Sequence, residues 1–186
     1  MSKLGRVLAT LPTLVLLAAV PACAGTSGPT ASDPTPAAAP TADDAARAFV
    51  AYAGDDGAGT DVPWGDSVRF SIAGEQVAQL SPDFAARREG WVRCPGAVTE
   101  YEGRRCPVSG LNPVRALVRE GGEPRLETDA PETVGCSTYR LPWEGAGTVW
   151  IRPDEDHRDC VTDFAIAVAT DGDGAIVAVD LALSGP

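Results

Sequence analysis

The sequence predicts an α+β fold: a single domain in which an N-terminal helix lies on one face of an antiparallel β-sheet that closes with a long C-terminal β-hairpin. Three observations carry this expectation. Ala45, Ala48, Phe49 and Tyr52 recur at helical spacing, whereas Val68, Phe70 and Ile72 alternate with Ser67, Arg69 and Ser71 as in a half-buried strand. Two apolar, β-branched runs, 161–169 and 175–183, flank the turn cluster Thr170-Asp171-Gly172-Asp173-Gly174. Helix early and adjacent strands late is the order of a fold with helices gathered on one side of a sheet.

The chain opens with Lys3 and Arg6, followed by the uncharged run Val7 to Val20. That run is 14 residues long. As a helix it would reach only about 21 Å, short of the ~30 Å hydrocarbon core, so residues 1–22 read as an export signal rather than a membrane span. Val20-Pro21-Ala22-Cys23 then resembles the lipobox of bacterial lipoproteins, with Pro21 where a small residue is more usual. The resemblance implies a lipid-bearing Cys23 after cleavage and a protein anchored on the outer side of the cell membrane. Ordinary secretion is the rival, since Ala22-Cys23-Ala24 also has the small-x-small form of a soluble cleavage site. Residues 23–40 hold Pro29, Pro34, Pro36 and Pro40 and no large apolar side chain, which makes them a tether of about 25 to 50 Å. Residues 41–186 are enough for one core, with no second linker inside them.

Along the domain, Thr41 and Asp44 form a capping-box pair ahead of the first helix, which Gly54 ends. Two short strands, 67–73 and 76–80, meet across Gly74-Glu75. Residues 83–91 are predicted as a short helix, and Asn112-Pro113 as the start of another. Thr148 to Arg152 reads as a strand beside the final hairpin, with Asp180, between Val179 and Leu181, on the less buried face.

With Cys23 assigned to lipid, four cysteines remain, an even set that oxidises in an exported domain. Nearest-neighbour pairing, Cys94-Cys106 and Cys136-Cys160, closes the smallest loops, each bridge stabilising by about 3 kcal/mol; the other two pairings stay open on sequence alone. A zinc site lacks the C-x2-C spacing, and His157 is the one histidine, so no metal is expected. No phosphate loop, dinucleotide fingerprint or haem motif occurs, and no cofactor is expected. Losing Lys3 and Arg6 with the leader leaves 13 Arg against 26 acids, a net charge of −13. Such a chain repels nucleic acid and anionic head groups, so membrane attachment falls to the acyl anchor. We expect a monomer whose partner is a small ligand or a protein of the envelope.

The densest set of chemically able side chains is Asp154-Glu155-Asp156-His157-Arg158-Asp159. It reads as a solvated charged turn, with a ligand or metal site as its rival, because Arg152 and Arg158 would repel a cation. Asp171-Gly172-Asp173-Gly174 fails as a calcium loop, since the twelfth position from Asp171 is Ala182. Ser109 lies in no G-x-S-x-G elbow, and only His157 could serve as its base. Trp64 and Trp143 sit in Pro-Trp contexts beside carboxylates, where an indole can stack on a sugar ring or cap a core. If the domain binds a ligand, Trp64, Trp143, Asp154 and His157 are the candidate contacts; a carboxylate pair acting as acid and base is the enzymatic alternative.

Element order is similar to that of NTF2-like domains. Arg152-Pro153, Cys160 ahead of an acidic-turn hairpin, the Val-x-Leu-x-Leu pattern and the lipoprotein start together resemble a group of uncharacterised actinobacterial exported lipoproteins. That likeness covers the two ends of the chain, leaves its middle unmatched, and implies no activity.

Overall fold

The computed structural model describes residues 39–55, 59–96, 100–101, 103–141, 143 and 147–185. The chain divides into Met1–Pro36 and Ala37–Pro186. The expected export leader over residues 1–22, Cys23 and the expected tether as far as Ala38 lie outside the described residues. Among the described residues, no helix is long and apolar enough to cross a membrane.

Helix α1 spans Ala42–Gly54 and begins as its sequence dictates. The Thr41 hydroxyl accepts the Asp44 N–H at 3.2 Å, and the Asp44 carboxylate accepts the Thr41 N–H at 3.0 Å, so two orphan donors of the first turn are satisfied. Those bonds from Thr41 hold the Asp44 carboxyl below its ordinary range. Ala45, Ala46, Phe49, Tyr52 and Ala53 form the buried face. Strands β1 (Trp64–Ile72) and β2 (Glu75–Leu80) follow as an antiparallel pair.

The single helix expected over 83–91 is instead a one-turn helix, α2 (Pro82–Ala85), and a 3₁₀ turn over Arg88–Trp91. Tight packing accounts for the break: a Cβ on Gly90 would lie 2.3 Å from the Phe84 carbonyl, so the chain folds back on itself where only glycine fits. Short strands β3 (Val92–Arg93), β4 (Glu100–Tyr101), β5 (Arg104–Arg105) and β6 (Val108–Ser109) come next, with β4 and β5 pairing antiparallel between Cys94 and Cys106. Helix α3 covers Asn112–Arg119. Then come β7 (Arg125–Glu127), β8 (Thr133–Val134), β9 (Ser137–Thr138), β10 (Thr148–Arg152), β11 (Phe164–Thr170) and β12 (Ile176–Leu183).

Six strands form the main sheet in the order β2-β1-β12-β11-β10-β7. It is antiparallel except at β1 and β12, which run parallel with Phe70 opposite Val179 and Ile72 opposite Leu181. The N-terminal hairpin is thereby joined to the C-terminal one. The fold is α+β, as the sequence predicts, with α1 on one face.

That face holds the main core: Phe49 of α1 shares one buried cluster with Val68, Phe70, Ile151, Ile166, Val168, Val179 and Leu181. Phe49, Trp64, Trp91 and Phe70 stack through mostly edge-on contacts at 5.1–6.2 Å between ring centres. The opposite face carries Ala165, Ala167 and Ala182, which let the segment bearing Val134, Tyr139, Leu141 and Trp143 lie close against the strands. Asp180, expected on the less buried face, is on this second face but fully buried under that cover. Its carboxylate accepts the Gly74 N–H at 3.0 Å and the Tyr139 hydroxyl, while burial raises its pKa.

Cys136 and Cys160 are joined, with Cα atoms 4.9 Å apart. Cys94 and Cys106, expected as the second bridge, are free thiols in this structure. They are nevertheless in contact, because the β4–β5 hairpin returns the chain on itself; the hydrogen bond with Cys94, aided by burial, raises the Cys106 thiol to about 11.

Candidate functional site

A cleft of about 410 Å³ opens beside α3. One wall is the helix itself, through Asn112, Pro113, Ala116, Leu117 and Glu120; the other is the strand-turn-strand run from Arg104 to Ser109. Phe164 and Leu183, paired at the open end of the C-terminal hairpin, line its base, and His157, Val161 and Thr162 close one end.

The helix is placed by its termini. Gly121 takes φ +87°, and Gly121 and Gly122 donate to the carbonyls of Val118 and Leu117, the paired bonds of a Schellman turn. A Cβ on Gly122 would stand 2.3 Å from a Leu117 methyl and 2.9 Å from the His157 ring, so the glycine lets the imidazole seat against the end of α3. At the other terminus, Ser109 Oγ accepts the Leu111 N–H at 3.3 Å.

The imidazole is fixed from below. Within the 3₁₀ turn Glu155–His157 and its leading residue, Asp154 and His157 fall three apart and on one side, and Asp154 Oδ1 lies 2.7 Å from His157 Nδ1. Asp154 Oδ2 accepts the Glu123 N–H at 2.6 Å, and the Asp154 N–H donates to the Glu123 carbonyl at 3.1 Å. The His157 hydrogen bond, followed by that of Glu123, holds the Asp154 carboxyl down at about 2, and the same partner raises the His157 pKa above its ordinary value. Asp159 ties the next turn by accepting the N–H groups of Val161 and Thr162 at 2.7 and 2.6 Å, and the Thr162 hydroxyl donates to the His157 carbonyl at 3.0 Å. The cleft end is therefore a knitted loop rather than a free one.

Of the four candidate contacts, the structure brings together Asp154 and His157 and separates both from the tryptophans. Trp64 is a core residue: its indole N–H donates to the Gly59 carbonyl at 2.7 Å, and its ring meets Phe49, Tyr52 and Trp91. Trp143 belongs to the cover on the other face, beneath the Arg69 guanidinium at 4.8 Å from its ring centre. The two indoles do not share a surface. Arg158, expected to repel a cation, is paired instead: it donates to the Pro153 carbonyl at 2.7 Å and to the Glu127 carboxylate. Arg152 likewise meets Asp163 at 2.6 Å in a buried pair.

No known family model matches the sequence, and neither a curated protein nor a solved structure is similar to it. Its chemistry has to be read from the cleft itself.

Ser109 and His157 both line the cleft, but at opposite ends of α3. The helix is eight residues long, roughly 12 Å, so the pair does not make the hydrogen-bonded nucleophile and base of a hydrolase. Glu120 is the one carboxylate among the described residues that line it, and the facing acids of a glycosidase do not meet there. A second hollow, of about 450 Å³, gathers Glu127, Asp154, Glu155 and Asp156 with Arg125 and Arg158. Among the described residues, no three of His, Cys, Asp and Glu converge as metal ligands would.

What the cleft offers is an apolar floor with polar ends. Sequence reasoning missed its walls: Asn112-Pro113 marked a helix start, but nothing local to Arg105, Asn112 or Leu117 marks them as lining a cleft. The Gly121-Gly122 pair just after a helical run was the one signal that could have marked the helix end where His157 docks.

Proposed function

We propose that the chain is an exported binding module, held to the outer face of the cell membrane by lipid on Cys23, which takes a small ligand in the cleft beside α3. The observation that carries the binding role is the cleft: about 410 Å³, floored by Leu117, Phe164 and Leu183 and bordered by Ser109, Asn112 and His157. That volume is at the lower end of small-molecule sites, and an apolar floor with a few fixed polar groups is their usual make-up. The lipobox-like sequence and the proline tether support the anchor. In that oxidising setting the neighbouring Cys94 and Cys106 thiols close into a second bridge.

Native mass spectrometry of protein from its own membranes tests both halves. A diacylglyceryl adduct on Cys23 with all four remaining thiols oxidised is the expected covalent state, together with a non-covalent small ligand that is absent from an Ala116→Trp variant. Ala116 is exposed on the cleft wall, so the indole fills the cleft without disturbing the core. Recovery of full-length protein with Cys23 unmodified would remove the anchor; a ligand retained by the Trp variant would remove the cleft.

A further inference from the structure

Charge around the cleft runs against the character of the whole chain. The chain from Cys23 onward has twice as many acids as arginines, yet Arg104, Arg105 and His157 all border this one opening, with Glu120 as their counterpart. Arg104 is committed to its own fold: its guanidinium donates to the Ser184 and Val161 carbonyls at 3.0 and 3.3 Å. His157 is committed through Nδ1 to Asp154. Arg105 differs. Its residue is exposed, its backbone is fixed in β5 across from Glu100, and among the described residues no carboxylate, Glu100 included, comes within ion-pair distance of its guanidinium. In a chain so rich in acids, a cation without an ion pair among the described residues, at the mouth of an apolar cleft, is placed to meet an anion from outside.

We propose that the cleft, if it is the ligand site, takes a small carboxylic acid, with the anionic head at Arg105 and the apolar body lying along α3 over Leu117 and Phe164. A guanidinium presents a planar fork that matches a carboxylate. Glu120, on the helix wall, disfavours a doubly charged head such as a phosphate. Leu117 and Phe164, 4% and 3% exposed, are held by the core and offer little open surface, so most of the apolar contact comes from the exposed Ala116 and Val161 beside them.

Calorimetric titration of the processed chain with decanoate, decanol, decyl phosphate and decyltrimethylammonium tests this. Decanoate is expected to bind most tightly. Arg105→Gln should weaken decanoate about tenfold, the loss of one charge-assisted hydrogen bond, and leave decanol unchanged. Ala116→Trp should abolish decanoate binding. Decanol equal to decanoate, phosphate tighter than carboxylate, or an unchanged Arg105→Gln variant would each overturn the acid as ligand while leaving the cleft as a site. No binding of any of the four by folded protein, or binding that survives Ala116→Trp, would overturn the cleft as the ligand site.

Discussion

At the scale of single residues, the two buried or half-buried acids that matter most have opposite fates. Asp154 is held ionised by His157 and the Glu123 N–H, whereas burial works against ionisation of Asp180. His157, raised by Asp154, contributes stability that is full below the ordinary histidine value near 6.5 and is lost as pH rises through its higher folded value. Asp154→Asn should bring the His157 titration, followed by NMR of the ring protons, back down toward that ordinary value; a titration that does not fall would mean the pair is not formed in solution. Asp180, also raised, has the same sign: the folded state holds the proton more tightly, so stability falls as pH rises from about 3.8 through the folded value. Asp180→Asn keeps partners for Gly74 and Tyr139 without a buried charge, and should be more stable than the natural chain at pH 7, with the gain fading in acid. Asp180→Ala leaves two donors without an acceptor and should cost about 1–3 kcal/mol in urea unfolding. An Asn variant weaker than the natural chain at pH 7 would show that the attraction of Arg69 outweighs the cost of burial.

At the scale of elements, what the sequence showed and what it hid divide by the range of the signal. Helix α1 and the β11–β12 hairpin were legible because cap, periodicity and turn lie within a few residues of one another. The parallel seam of β1 against β12 was not: its partners are more than a hundred residues apart, and either strand could have been an edge. For the same reason Asp180 was placed near solvent, since nothing close to it reveals that Tyr139 and Trp143 return to cover it. Asp154 and His157 were visible as a cluster, but only the 3₁₀ turn decides that they face each other. The cover is fastened at one end by the Cys136–Cys160 bridge and by the Gly135 N–H, which donates to Asp163 at 2.7 Å beside the buried Arg152 pair. Opening the bridge with Cys136→Ser and Cys160→Ser together should lower stability by about 3 kcal/mol on the chain-entropy account. Asp163→Ala should cost about 3–5 kcal/mol, because it strands the Arg152 guanidinium in a dry site. A loss under 1 kcal/mol for Asp163→Ala would mean that water reaches the pair.

At the scale of the whole molecule, the chain from Cys23 onward carries a net charge of −13, and Arg105, without an ion pair among the described residues, borders a small opening rather than a broad surface. Anionic head groups therefore meet repulsion from the domain as a whole, and screening by salt can only remove that repulsion, not supply an attraction. On the proposed reading, attachment comes from acyl chains, each buried methylene contributing about 0.8 kcal/mol. The expected outcome is sharp. Domain produced without its leader, and so without lipid, should stay in the supernatant when mixed with vesicles of anionic phospholipid at both low and high salt, whereas the acylated protein should sediment with them under both conditions. In cells, Cys23→Ser should shift the protein out of the membrane fraction. Sedimentation of the unlipidated domain at low salt that is lost at high salt would place a basic membrane-binding patch on a chain whose charge argues against one, and the lipid on Cys23 would no longer be needed to explain attachment.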